Sequence, residues 1–151
     1  MITSVSFDMD GTLCDFYGVP EWLSCLMNED TYPYEVAAPL IHMATLARRI
    51  HQLQALGVKV KIISWLSKNG SDDFNEAVTA TKIDWLAKHL PSVKFDEIII
   101  VPYGTPKEIF SDGILFDDEE RNRENWNKAG ENMNSFNVGN ILEVLKMVTE
   151  M

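Results

Sequence analysis

The sequence predicts an α/β fold: a three-layer, Rossmann-like sandwich around a mainly parallel sheet, with a minimal helical cap inserted near its start. Three observations carry that expectation. Short apolar, β-branched segments recur along the chain, bounded by Gly, Pro or acidic residues. Longer segments with apolar residues at helical spacing lie between them. Three of the strand-like segments run into Asp8, Ser64 or Asp117, as expected where the carboxyl ends of parallel strands gather reactive groups.

The elements follow in order. Residues 2–7 alternate apolar with Thr and Ser, which reads as a strand ending at Asp8. Residues 34–56 carry Val36, Leu40, Met43, Ala44, Ala47, Ile50 and Leu53 at near-helical spacing, so one long helix is expected, closed by Gly57. Residues 58–64 form a second strand. Ser71 or Asp72 caps a helix reaching about Leu90, with Phe74, Ala77, Val78, Trp85 and Leu86 facing inward and Pro91 beyond its end. Glu97–Val101 is a third strand, its near-continuous apolar run matching burial on both faces. Gly113–Phe116 is a fourth, residues 134–137 a short fifth, and residues 140–149 a closing helix on Ile141, Leu142, Leu145 and Val148. A length of 151 residues fits a single domain, 1–151, with residues 16–33 as a small flap or cap within it.

Composition narrows the function. Hydrophobic residues make up 46% of the chain, enough for a continuous core. The 23 Asp and Glu against 13 Lys and Arg give a formal charge of −10, which argues against sequence-independent nucleic-acid binding. Cys14 and Cys25 are scattered and read as reduced thiols. No basic stretch leads into an apolar run at the N-terminus, and no apolar run spans a bilayer, so a cytoplasmic protein without a membrane partner is expected. The sequence sets no oligomeric state.

The segment Phe7-Asp8-Met9-Asp10-Gly11-Thr12-Leu13 carries the strongest chemical signal. Two carboxylates two positions apart at a strand end project the same way, and Gly11 lets the chain turn off sharply. Such close carboxylates repel unless a cation joins them, and a hard cation such as Mg²⁺ takes oxygen ligands while keeping positions open for a phosphate oxygen. A solvated Asp-Gly turn is the plain alternative. Ser64 closes the second strand, and Leu115-Phe116-Asp117-Asp118 ends the fourth. Adjacent residues on a strand point oppositely, so Asp117 and Asp118 are not expected to do the same job.

These residues resemble the motifs of the haloacid dehalogenase superfamily of phosphohydrolases, and the run Asp8 to Phe16 is similar to its 5′(3′)-deoxyribonucleotidase branch. The resemblance implies that Asp8 attacks phosphorus and Asp10 serves as acid, then base. It implies that Ser64 donates to a phosphate oxygen. It requires a lysine before the fourth strand, which favours Lys107 with Lys68 behind it; Lys82 and Lys88 read as a solvated helix face. The implied magnesium ligands are Asp8, the Asp10 backbone carbonyl and Asp118, with Asp117 acting through water or holding the lysine. Thr12, Trp65 and Phe16 are candidate substrate contacts, and Phe16, Tyr17 and Trp22 candidate lid aromatics. Arg121, Arg123 and Trp126 face either substrate or solvent. His42, His51 and His89 share no metal spacing.

The expected activity is therefore Mg²⁺-dependent hydrolysis of a small phosphorylated substrate through an aspartyl-phosphate, with a nucleoside monophosphate preferred on resemblance. The alternatives are another phosphomonoester such as a sugar phosphate, transfer to a second alcohol, or a catalytically weak phosphate-binding module of the same fold.

Overall fold

A computed structural model describes residues 1–151. Five strands, β1 (Ser4–Phe7), β2 (Lys59–Trp65), β3 (Glu97–Val101), β4 (Gly113–Phe116) and β5 (Met133–Phe136), form one sheet in the order β3-β2-β1-β4-β5. Every pairing is parallel. The chain also forms six α-helices, α1 (Trp22–Met27), α2 (Tyr32–Val36), α3 (Met43–Ala55), α4 (Asp72–His89), α5 (Glu120–Lys128) and α6 (Ile141–Thr149), and two single 3-10 turns, Lys107–Ile109 and Val138–Asn140. The expected α/β class and parallel sheet are what the chain adopts. No helix is long and apolar enough to cross a membrane.

Alternation along the strands separates the two faces of the sheet. Val5, Phe7, Val60, Ile62, Ile114 and Phe116 point into the larger core, which α3 fills with Leu46, Ile50 and Leu53 and α6 with Ile141, Leu145 and Val148. The other face packs Ile63, Leu115 and Met133 against Trp126 of α5. Trp126 is fully buried and its indole N–H donates to the Gly113 carbonyl at 3.0 Å, so it is core rather than a substrate contact. β1 lies at the centre of the sheet, and its end therefore lies between the ends of β2 and β4. That placement gathers Asp8, Ser64 and Asp117 at one edge.

Three expectations need correction. The helix expected over residues 34–56 is two helices, α2 and α3, separated by an extended stretch. Pro39 is the cause: it lacks an N–H and forces the preceding residue out of the helical region. The freed backbone pairs instead with the loop after β1, through Leu40 N–H to Leu13 O at 2.9 Å and Asp15 N–H to Ala38 O at 2.7 Å. β3, expected to be buried on both faces, is an edge strand bonded only to β2, and its Ile98 is 40% exposed. An apolar run reports residue type and carries no information on sheet order. Ala77 is exposed, whereas Phe74, Val78, Trp85 and Leu86 face inward as expected.

The remaining features agree with simple reasons. Ser71 caps α4 by accepting from Phe74 N–H at 3.1 Å. Cys14 and Cys25 are free. His42 caps α3, His51 meets the Ser92 carbonyl, and His89 stacks on Trp85, so none joins a metal-binding cluster.

Candidate active site

The loop after β1 is a tight one. The Met9 carbonyl accepts from the N–H groups of Thr12, Leu13 and Cys14 at 3.0, 2.9 and 3.0 Å. Gly11 takes φ +79, and a Cβ there would collide with the Asp118 carboxylate. The glycine is thus needed twice, for its backbone conformation and for the approach of Asp118.

Asp8 follows β1 and is held from two sides. Its N–H donates to the Phe116 carbonyl at 2.9 Å, and Lys107 Nζ reaches its Oδ1 at 2.9 Å. The same ammonium reaches Asp117 Oδ2 at 2.8 Å. Lys107 is 3% exposed and lies 5.4 Å from the centre of the Trp65 ring. Burial works against its charge, yet the carboxylates of Asp8 and Asp117 hold its pKa above the ordinary lysine value.

Asp117 and Asp118 divide as adjacent strand-end residues should. Asp117 is buried and its oxygens are committed, Oδ1 to Glu119 N–H at 3.0 Å and Oδ2 to Lys107 and to Asn122 Nδ2 at 3.1 Å. Asp118 is exposed to the cleft. Asp8, Asp117 and Asp118 each place a carboxylate oxygen within 4.8 Å of the others. Desolvation first, and then the charge of Asp8, raise Asp117 to about 6 and Asp118 to about 7. Three carboxylates so crowded form an oxygen-rich donor set suited to a hard divalent cation.

Asp10 stands apart from that cluster. Its side chain is expected as an acid and base, with only its backbone near a metal, and its carboxylate is not among the three clustered ones. Asp10 Oδ2 instead pairs with Lys82 Nζ at 3.1 Å. Desolvation, partly offset by Lys82, leaves the Asp10 pKa raised.

Lys82 corrects the sequence reading most. Expected on a solvated face, it is 2% exposed and donates to Ser64 Oγ at 2.7 Å and to the Trp65 carbonyl at 2.6 Å as well as to Asp10. The missed signal is positional: residues 74, 78, 82, 85 and 86 share one face of α4, and all five are buried. A lysine on an apolar stripe has to be paired.

The candidate substrate contacts divide. Thr12 is fully buried, so it is not at hand for substrate; its hydroxyl donates to Asp8 Oδ2 at 3.1 Å and accepts from Asp118 N–H at 3.2 Å, tying the two loops. Ser64 is also fully buried, behind Lys82. The backbone after Trp65 is committed, since Leu66 N–H donates to the Val101 carbonyl at 2.8 Å and Ser67 N–H to Asn75 Oδ1 at 3.2 Å. Trp65 itself lines the cleft, its indole N–H fixed to the Thr105 carbonyl at 2.8 Å. Phe16 is 2% exposed and packs on Tyr34 and Phe74, though its ring edges the cleft. Arg123 donates to the Asp117 carbonyl at 3.0 Å, and Arg121 is exposed.

Above these groups lies a cavity of about 960 Å³. Asp8, Asp10, Lys107, Asp117 and Asp118 form its floor, and Tyr17, Trp22, Leu23, Leu26 and Met27 line its flap side. Lys68, the second lysine candidate, lines the cavity over the Tyr103 ring at 5.6 Å and pairs with none of the carboxylates, whereas Lys107 pairs with two. Glu29, not singled out from sequence, ties the flap down: its carboxylate accepts from Ser71 N–H at 2.7 Å and Ser71 Oγ at 2.8 Å.

No protein-family model matches the chain, and no curated protein matches it by sequence. Among solved structures, the D,D-heptose 1,7-bisphosphate phosphatase from B. bronchiseptica, complexed with magnesium and phosphate, is similar at a TM-score of 0.59 and 12% identity, over 99% of this chain and 100% of that one. The enzyme of the same name from Burkholderia thailandensis gives 0.49 at 16% identity, over 81% of this chain and 70% of that one. At these identities the likeness is one of fold, and of these two structures the first carries it.

Proposed function

We propose that this protein is a Mg²⁺-dependent phosphatase of the haloacid dehalogenase type, hydrolysing a small phosphomonoester through an aspartyl-phosphate on Asp8. One observation carries the reading: the Asp8 carboxylate opens into a cavity while Lys107 stands 2.9 Å away and Asp118 closes an oxygen cluster beside it. The whole-chain likeness to a phosphatase complexed with magnesium and phosphate supports it.

In this reading the cation sits on Asp8, Asp118 and the Asp10 carbonyl, with Asp117 holding Lys107. Bound there, it offsets the negative charge that phosphate brings to an acidic site. Asp8 forms the bond to phosphorus, so one difficult displacement becomes two easier ones. Lys107 keeps Asp8 oriented and offers positive charge to the phosphoryl oxygens. Asp10, apart from the carboxylate cluster, is free to protonate the departing oxygen and then to take a proton from water.

The cavity volume suits a sugar phosphate or a mononucleotide, within the usual range for small-ligand sites. A small phosphomonoester such as a sugar phosphate is the better supported class, since the similar structure is that of a heptose bisphosphate phosphatase. A nucleoside monophosphate is the second reading, favoured by the rings of Tyr17, Trp22, Trp65 and Tyr103 around the cavity.

Phosphate release from a panel of sugar phosphates and nucleoside monophosphates, with Mg²⁺ and with chelator, tests both readings. Metal-dependent release on sugar phosphates is the expected outcome. Release confined to nucleotides would move the substrate class, and no release with any of them would favour a phosphate-binding module.

A further inference from the structure

Lys82 reaches from α4 to the back of the site, and no residue of α4 lines the cavity itself. An ammonium carries three protons, and three acceptors surround this one: Asp10 Oδ2 at 3.1 Å, Ser64 Oγ at 2.7 Å and the Trp65 carbonyl at 2.6 Å. The Tyr34 ring stands 5.3 Å away on the flap side. Every proton has a partner, so the ammonium has one orientation, and Asp10 is the carboxyl group it holds. Ser64 and Trp65 belong to β2, in the centre of the sheet's bonding. Lys82 therefore anchors the Asp10 carboxylate to the sheet. It does not itself line the cavity, whereas Asp10 does.

We infer that Lys82 is a positioning residue that holds Asp10 for proton transfer to the leaving group. The inference rests on the phosphatase reading. The bond to Oδ2 leaves Oδ1 to carry the proton, and it keeps the Asp10 side chain out of the cluster of Asp8, Asp117 and Asp118. In the first half-reaction an Asp8 oxygen bonds to phosphorus as the bond from phosphorus to the leaving oxygen breaks. The electron pair stays on that oxygen, which takes the proton from Asp10. In the second, water oxygen bonds to phosphorus, its proton passes to Asp10, and the Asp8 oxygen–phosphorus bond breaks with its pair returning to the carboxylate. A carboxyl allowed to swing loses alignment in both halves, but only substrates that need a proton on leaving feel the first loss.

The test compares kcat/KM, with Mg²⁺, for p-nitrophenyl phosphate, which leaves as a stable phenolate, and for the best alkyl phosphate of the panel. Lys82→Met is expected to lose about 10²-fold on the alkyl phosphate and less than about 5-fold on the aryl one, with KM changed little. Lys82→Arg, which keeps the charge, is expected to recover about tenfold of the alkyl loss. Should Lys82→Met fail to fold, Lys82→Gln reads the same ratio, because its amide retains a donor toward Ser64 and Trp65. Equal losses on both substrates, or none on either, overturn the inference while leaving the phosphatase reading in place. A wild type inert toward both overturns that reading and the inference with it.

Discussion

The floor of the cleft and its flap are built in opposite ways. On the floor, Asp8, Lys107 and Asp117 are nearly inaccessible; Asp8 and Asp117 follow the central strands β1 and β4, and Lys107, on the turn before β4, joins them by charged hydrogen bonds. The flap has no buried residue in α1, shows Leu23 and Met27 to solvent, and is fastened to α4 through the Glu29 carboxylate on Ser71. Its inner side rests on an aromatic cluster of Phe16, Tyr17, Trp22 and Tyr34. Under the proposed function the contrast assigns chemistry to groups the sheet cannot release and substrate choice to a segment held mainly by Glu29 and aromatic packing. Loosely held segments are where local opening is easiest.

The largest effect is expected on the floor. Asp8→Asn removes the nucleophile, and turnover should fall about 10⁴-fold or more. Lys107 retains Asp117, so no buried cation is left without an anion and the fold should survive. Unimpaired turnover in a folded Asp8→Asn protein would end the nucleophile assignment.

A smaller and different effect is expected at the flap. Glu29→Ala releases its two bonds to Ser71 and should raise KM about fivefold, with kcat and Tm nearly unchanged. A fall in kcat as large as that of a floor variant would show that the flap takes part in the chemistry.

The smallest effect is expected in the sheet away from the cleft, at Asp96. Burial opposes its charge, but Val60 N–H at 2.7 Å, Gln54 and Lys59 bring its pKa below the ordinary value. A carboxyl depressed in the folded state stabilises above its unfolded pKa of about 4 and loses that contribution as pH falls through the lower folded value. Asp96→Asn should therefore lower Tm modestly at neutral pH, with the difference from wild type shrinking below about pH 4 and KM unaffected. A constant difference in Tm down to the acid limit would mean that the charge of Asp96 contributes nothing. Together, Glu29→Ala and Asp96→Asn separate substrate capture from the stability of the frame.

The same contrast explains what was legible in the sequence. The shared edge of Asp8, Ser64 and Asp117 was legible because parallel strands deliver their ends together and announce themselves through short β-branched runs. Ser64, however, expected to meet phosphate, lies buried behind Lys82 and off the cavity. Lys107 was legible only with the motif order as a guide. Lys82 was not found, because a lysine in a helix is ordinarily solvated; its place on the stripe of Phe74, Val78, Trp85 and Leu86 was the available warning. The break at Pro39 was also written in the chain, but apolar spacing on both sides masked it. The edge position of β3 was not written there at all, since hydrophobicity does not encode strand order. Thr12 looked like a substrate contact beside the aspartates, and only the fold shows its hydroxyl spent on Asp8 and Asp118. Glu29 could not be chosen among 23 acidic residues without knowing that the flap tip meets the start of α4.

The central claim is a covalent phosphoryl group on Asp8, and chemical trapping tests it most directly. Borohydride reduces an acyl phosphate to an alcohol, so an aspartyl-phosphate quenched during turnover becomes homoserine. Peptide mapping should find homoserine at position 8 when substrate and Mg²⁺ are both present, and aspartate there when either is omitted. Homoserine at position 10, 117 or 118 instead, or an unmodified position 8 while phosphate is being released at full rate, would contradict the account.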